Sequence, residues 1–320
     1  MRPLARARCL RAGTPWYQPT MRALVTGATG FVGGRLAAAL SERGANVRAL
    51  VRDKQRASHL GDAGHELHEG DVLDAESLRG AGEGVDTAYY LVHSMGRGSD
   101  REGFADRERR AAENFARMAR DEGVERVVYL GGLGDERSEH LKSRAATAEA
   151  LAEHGPPLVY FRAAMVIGAG SESYRTVRHL VGRLPVMIAP AWLRNRTQPI
   201  AIDDVLEYLV QAAERPEAAG QAIQIGGPDV MTYADLLDLM ADVLGKRHRP
   251  KVPFPLITPR LSSLWIGLVT PVDAGVARPL IESLASDTFV TDPEPAKLFD
   301  VKPMSSLDAL RLANDEQRGA

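Results

Sequence analysis

Short apolar runs alternate with longer amphipathic stretches over the first half of the chain. "RALVTGA" (22–28) reads as a strand, and "FVGGRLAAALSERG" (31–44) as a helix stopped by Gly44. Further strands are predicted at "NVRALVR" (46–52), "HELHEGD" (65–71), "VDTAYYLVH" (85–93), "RVVYLGG" (126–132) and "PLVYFRAAMVIG" (157–168). Between them fall a short helix from Asp74, a helix over 101–123 with Phe104, Ala111, Phe115 and Met118 on one stripe, and a helix over 138–154. After Gly168 the alternation loosens. An edge segment enters a helix near Asp203 or Asp204 within 200–215, a strand is expected at 221–227, and a helix at 231–245 with Thr232 as its cap and Gly245 as its stop. From Arg249 to Pro279 recurring prolines predict turns and short helices.

Near-continuous apolar strands separated by helices imply a parallel sheet covered on both faces. The predicted class is therefore α/β, a doubly wound parallel-sheet Rossmann fold with right-handed crossovers and a smaller C-terminal lobe. Residues 21–230 are expected to form the doubly wound domain. Residues 231–320 are expected to form a lobe over the carboxyl ends of the strands, where ligands bind in such sheets. Residues 1–20 hold Arg2, Arg6, Arg8 and Arg11 and no acid. That composition suits either an organelle transit peptide or a disordered extension ahead of Met21, and the extension is the expected reading.

Composition narrows the function classes. With 44% hydrophobic and 26% charged residues over 320 positions, the chain can bury a substantial core. A net charge of -2 supplies no basic field for nucleic acid. Cys9 is the single cysteine, so an internal disulfide and a thiolate metal cluster are excluded, and a cytoplasmic setting is expected. His65 and His68 would point to opposite faces of a strand, so no metal site is expected. No run of 18 or more apolar residues provides a transmembrane segment. The stretch "LSSLWIGLVTPV" (261–272) is too short to span; burial in the lobe is expected, membrane-surface contact being the alternative.

The chemistry begins at "VTGATGFVGG" (25–34), where a strand, a turn with Gly27, Gly30 and Gly33, and a helix follow in register. Gly27 permits the tight turn, Gly30 lets backbone approach a pyrophosphate, and Gly33 lets the helix pack closely. The helix N-terminus adds free N–H groups and the positive end of its dipole. At the end of the second strand, "LVRDKQR" (50–56) puts Arg52 where a guanidinium would meet a 2′-phosphate, so NADP(H) is favoured over NAD(H). Asp53 could serve a ribose instead, and a solvated charged turn is the third reading. Asp71 and Val72, in "GDVLD" (70–74), could flank an adenine.

"TGATGFVGG", "GDVLD", "YYLVHSM", "NFARMARDEGVERVVYLGGLG" and "QPIAIDDVLEYL" together resemble the atypical short-chain dehydrogenase/reductases, in the group that includes NmrA-like NAD(P)H-binding regulators and extended epimerases. The resemblance runs from Met21 to about Asp242. It implies that Gly27, Thr29, Gly30, Phe31 and Val32 line the phosphates, that Arg52 meets the adenosine phosphate and Asp71 with Val72 the adenine, and that Leu91, Val92 and His93 lie beside the ribose. The pattern then breaks. Active members use a Tyr-x-x-x-Lys helix and an upstream serine or threonine, whereas "GGLGDERSEHLKSRAATAEAL" (131–151) has no tyrosine. His140 and Arg144 fall at the tyrosine and lysine places, and Gly131 and Gly132 near the expected hydroxyl.

Two functions follow. One is a reductase moving hydride from NADPH to a small, fairly apolar carbonyl or quinone-like compound. His140 would donate the proton, Arg144 would anchor ribose and charge, and Trp265, Phe254, Leu256 and Trp192 would shape an apolar pocket or pack in the core. The other is a non-catalytic protein that senses the NADP(H) state and docks a protein partner, with His140 and Arg144 as surface residues of a charged helix.

Overall fold

The computed structural model describes residues 20–92, 103–134, 139–184, 186–253 and 286–319. Seven strands, β1 (Arg22–Thr26), β2 (Asn46–Val51), β3 (Glu66–Glu69), β4 (Thr87–Tyr90), β5 (Arg126–Gly132), β6 (Leu158–Ala163) and β11 (Ala222–Ile225), form one sheet in the order β11-β6-β5-β4-β1-β2-β3. Every pairing in it is parallel. Helices return the chain over one face or the other between successive strands, except from β3 to β4, where a 3-10 turn makes the connection. The strand order reverses between β1 and β4, which opens a crevice at their carboxyl ends.

Helices α1 (Phe31–Glu42) and α6 (Ile202–Ala212) cover one face through Leu36, Leu40, Val205 and Leu209. Helices α3 (Phe104–Asp121) and α4 (Glu139–His154) cover the other through Ala112, Phe115, Ala116 and Leu151. The many alanines on α3 and α4 let these helices lie close to the sheet and to each other. A short α2 (Ser58–Asp62) and a 3-10 turn over Ala75–Leu78, capped by Asp74 through the Glu76 N–H, connect the outer strands.

A third core lies apart from the sheet. It packs α5 (Glu172–Arg183), α7 (Tyr233–Val243) and α8 (Ser306–Gly319) together through Tyr174, Leu180, Val181, Leu236, Met240 and Leu310. The chain passes between cores more than once, because α6 and β11 return to the sheet between α5 and α7. Thr232 caps α7 in a reciprocal capping box with Asp235, and Gly245 follows it at φ +63°, as its sequence signals predict.

Three elements differ from the sequence pattern. The apolar run 157–168 is not one strand: β6 ends at Ala163, and β7 (Val166–Ile167) pairs instead with β10 (Ile200–Ala201). The helices α5 and α8 were not signalled by the loosening alternation. Both are polar on average, and their apolar stripes are narrow. Residues 1–19 and the proline-rich 254–285, with Phe254, Leu256 and Trp265, lie outside the described residues. Among the described residues no helix is long and apolar enough to cross a membrane.

Candidate functional site

The crevice is built around the turn from β1 into α1. Gly27 has φ +65°, a conformation that L side chains rarely adopt, and a Cβ there would lie 2.6 Å from the Leu91 carbonyl oxygen. A Cβ on Gly33 would lie 2.2 Å from the Gly27 carbonyl oxygen, so glycine is required for α1 to start this close to the turn. The Gly30 N–H donates to the Gly27 carbonyl at 2.8 Å and closes the turn. No side chain caps α1, and no acid stands in its first turn. Its first amide groups and dipole end are thus left for an external anion. Thr29 and Gly30 are exposed at the turn, and Phe31 and Val32 are half-buried behind them.

Thr26 holds the two sides of the crevice together. Its buried hydroxyl donates to the Tyr89 carbonyl at 3.1 Å and accepts from the Leu91 N–H at 2.8 Å. Leu91 and Val92 therefore stand beside the glycine turn, at the end of β4. His93 lies outside the described residues. Sequence reasoning passed over Thr26, although a threonine closing an apolar strand just before a glycine turn was a readable signal.

At the end of β2, Arg52 is exposed, with no hydrogen-bond or ion-pair partner among the described residues. Asp53 is engaged locally. Its Oδ1 accepts from the Gln55 and Arg56 N–H groups at 2.9 and 3.1 Å, and its other oxygen lies 3.4 Å from Arg56 Nε. Asp71 turns its carboxylate onto the Leu73 N–H at 2.9 Å, and Val72 is buried beneath it, with its carbonyl accepting from Asn114.

Phe31 and Arg35 link the turn to the helical core. The Arg35 guanidinium stacks 4.6 Å from the Phe31 ring centroid, donates to the Ala169 carbonyl at 3.0 Å and pairs with Glu316 of α8 at 3.7 Å. A Cβ on Gly168 would meet the Phe31 ring at 2.8 Å.

The helix α4 brings His140 and Arg144 onto one face. Arg144 Nε donates to His140 Nε2 at 3.1 Å, and Arg144 Nη1 donates to the Leu130 carbonyl at 3.2 Å. The charge state differs from that expected of an ordinary imidazole. Burial, and then the Arg144 guanidinium, push the His140 pKa down to about 3. At pH 7 such a group is protonated in about one molecule in 10⁴. His140 Nε2 thus stands as a neutral acceptor for Arg144, a different charge state from that of the proton donor expected from the helix spacing.

The hydroxyl place is closed by packing. A Cβ on Gly131 would lie 2.6 Å from Tyr160 Cε2 and 2.8 Å from its hydroxyl oxygen. A Cβ on Gly132 would lie 2.6 Å from Leu141 Cδ2. Neither position admits a serine or threonine without movement of its neighbours. Trp192 belongs to the helical core, edge-on to Tyr233 at 6.1 Å between centroids.

Residues 27–164 match the family of NAD(P)H-binding domains. Along most of its length the chain is similar to the mitochondrial NADH dehydrogenase [ubiquinone] 1 alpha subcomplex subunit 9 of Mus musculus, at 25% identity, covering 90% of this chain and 79% of that protein. It is also similar to the 4-hydroxy-2-methyl-3-oxo-4-farnesyl-3,4-dihydroquinoline-1-oxide ketoreductase of Stigmatella aurantiaca, at 26% identity over 94% of this chain and 98% of that protein. The fold is shared with the triphenylmethane reductase of Citrobacter sp., solved with NADP(H), at a TM-score of 0.72 and 18% identity, covering 92% of this chain and 99% of that one.

Proposed function

We propose that this chain, which carries an NAD(P)H-binding domain of the atypical short-chain dehydrogenase/reductase type, is an oxidoreductase that uses NADP(H) to reduce a small carbonyl or quinone-like compound. The observation that carries the cofactor reading is the turn itself: Gly27 and Gly33 are each held in a place that a Cβ would fill, beneath an α1 terminus with no side-chain cap. In this reading Gly27, Thr29, Gly30, Phe31 and Val32 hold the pyrophosphate, Asp71 and Val72 flank the adenine, and Leu91 and Val92 stand by the ribose. Arg52 meets the 2′-phosphate. The preference for NADP(H) is supported by the pairing at β2: Arg52 is exposed and unengaged, while Asp53 spends its carboxylate on Gln55 and Arg56.

The bound cofactor supplies hydride. What the chain supplies beside it is Arg144, held at the end of β5 by the Leu130 carbonyl and by His140. A guanidinium there stabilises negative charge as it develops on a substrate oxygen. The ketoreductase and the dye reductase among the similar proteins bear their activities in their names, and they support the reductase reading.

A second reading is favoured by the neutral His140 and by the glycines at 131 and 132: a sensor that binds NADP(H) and a protein partner without turnover. The test is NADPH oxidation against a panel of carbonyl compounds and quinones. Turnover that requires both NADPH and a panel member supports the reductase. Tight NADPH binding with no turnover across the panel supports the sensor.

A further inference from the structure

Two arginines, one from α4 and one from β6, bond to carbonyls near the end of β5. Arg144 reaches from α4 to the Leu130 carbonyl at 3.2 Å, and Arg162 reaches from β6 to the Gly134 carbonyl at 3.2 Å. Arg162 pairs in register with Gly131, the first of two glycines that follow Leu130. Both guanidiniums are half-buried. Neither lies within ion-pair distance of a carboxylate among the described residues. Arg48, for comparison, has Glu66 at 2.9 Å and three carbonyls around it. The Nε atoms of both Arg48 and Arg162 are buried without a hydrogen-bond partner among the described residues, but Arg48 Nε has the Glu66 carboxylate beside it and Arg162 Nε does not.

A partly desolvated cation without a counter-charge is costly. Here two of them share one strand end, and their bonds go to neutral acceptors: two carbonyls and the His140 ring. Arg144 also contributes to holding His140 uncharged, so the site keeps its positive charge on the two guanidiniums. Among the described residues, the groups bonded to the two guanidiniums are neutral acceptors and none is an anion. That is the composition of a receptor for an oxyanion, and the planar forks suit a carboxylate.

We propose that Arg144 and Arg162 together bind a carboxylate of the substrate, so that the compound reduced is a carbonyl compound bearing an acidic group. The inference rests on the strand carboxyl ends being the reaction site. Arg162 is assigned here as a residue that determines specificity, separate from the dinucleotide turn.

The test uses binding, so it does not depend on turnover. Benzoate is the probe and benzamide its uncharged counterpart, titrated by calorimetry into the full chain already saturated with NADP⁺, and separately into the chain alone. The wild type is expected to bind benzoate at least tenfold more tightly than benzamide. Arg162→Gln and Arg144→Gln should each weaken benzoate about 10- to 100-fold, the range of one charge-assisted hydrogen-bonded pair, and leave benzamide unchanged. Arg162→Lys keeps the charge and guards against a folding defect; it should retain part of the preference. Equal affinities for the two probes in the wild type, or benzoate binding untouched in both glutamine variants, would overturn the proposal. NADP⁺ binding without benzoate discrimination leaves the cofactor reading standing and sinks this one. Benzoate discrimination in a chain that does not bind NADP⁺ does the reverse.

Discussion

His140 and Arg144 lie four residues apart on α4, the spacing that places two side chains on one helix face. The spacing was legible in the sequence; the charge on the imidazole was not, because it depends on burial by residues remote in the chain. A histidine with a folded pKa near 3 and an unfolded value near 6.5 favours the folded state above pH 6.5 and costs stability as pH falls from there toward 3. His140→Gln should therefore flatten the fall of stability in that window, measured by denaturant unfolding at several pH values; an unchanged slope would count against a buried neutral imidazole. In catalysis the same state predicts that the kcat/KM profile has no limb near pH 6.5 arising from His140. A limb there that disappears in His140→Ala would restore the imidazole as proton donor. Arg162, by contrast, was passed over in the sequence because an arginine inside an apolar strand shows its role only when the neighbouring strand end is in view.

The strand–turn–helix unit of β1 and α1 is the element that the sequence displays most openly. Its signals are local: an apolar run, three spaced glycines and an amphipathic helix. Local signals also placed β2, β4, β5, α3, α4 and α7 to within a few residues. The helices α5 and α8 were missed for a physical reason, since each buries only a narrow stripe against α7 and the short β7–β10 pair, and their remaining faces are charged. The cap of α5 was available, as Ser171 accepts from the Tyr174 N–H. At the turn, Gly33→Ala sets a methyl against the Gly27 carbonyl, and a backbone oxygen cannot swing away as a side chain can. The substitution should lower the melting temperature by several degrees and weaken NADPH binding at least tenfold. Wild-type values for both, from thermal unfolding and fluorescence titration, would mean that α1 can withdraw from the turn at little cost.

Across the whole molecule, the C-terminal stretch ties the sheet to the helical core. The Thr291 N–H donates to Gln224 of β11, the Asp300 N–H to Gln211 of α6, the Met304 N–H to Asp204, and the Ser306 N–H to Asp229. Asp204 does this at a cost. Burial is the main cause that raises its pKa to about 6, with Asp203 and Glu207 adding to it and the Met304 hydrogen bond opposing it. A carboxyl with a raised folded pKa favours the native state below its unfolded value and loses that contribution as pH rises through about 6. At pH 7.5 the ionised group costs up to about 3 kcal/mol. Asp204→Asn keeps an oxygen for the Met304 N–H and removes the charge. It should be more stable than the wild type at pH 7.5 and lose that advantage near pH 4, by denaturant unfolding at both values; equal stabilities at pH 7.5 would refute the buried carboxylate. The account as a whole turns on what the glycine crevice holds and how Arg52 selects it. The direct measurement is a fluorescence titration of NADPH and NADH into the wild type and into Arg52→Glu. The account predicts micromolar NADPH binding, tighter than NADH in the wild type, with the preference erased or reversed in the variant. Equal wild-type affinities for the two nucleotides, or a preference for NADPH that survives Arg52→Glu, would contradict it.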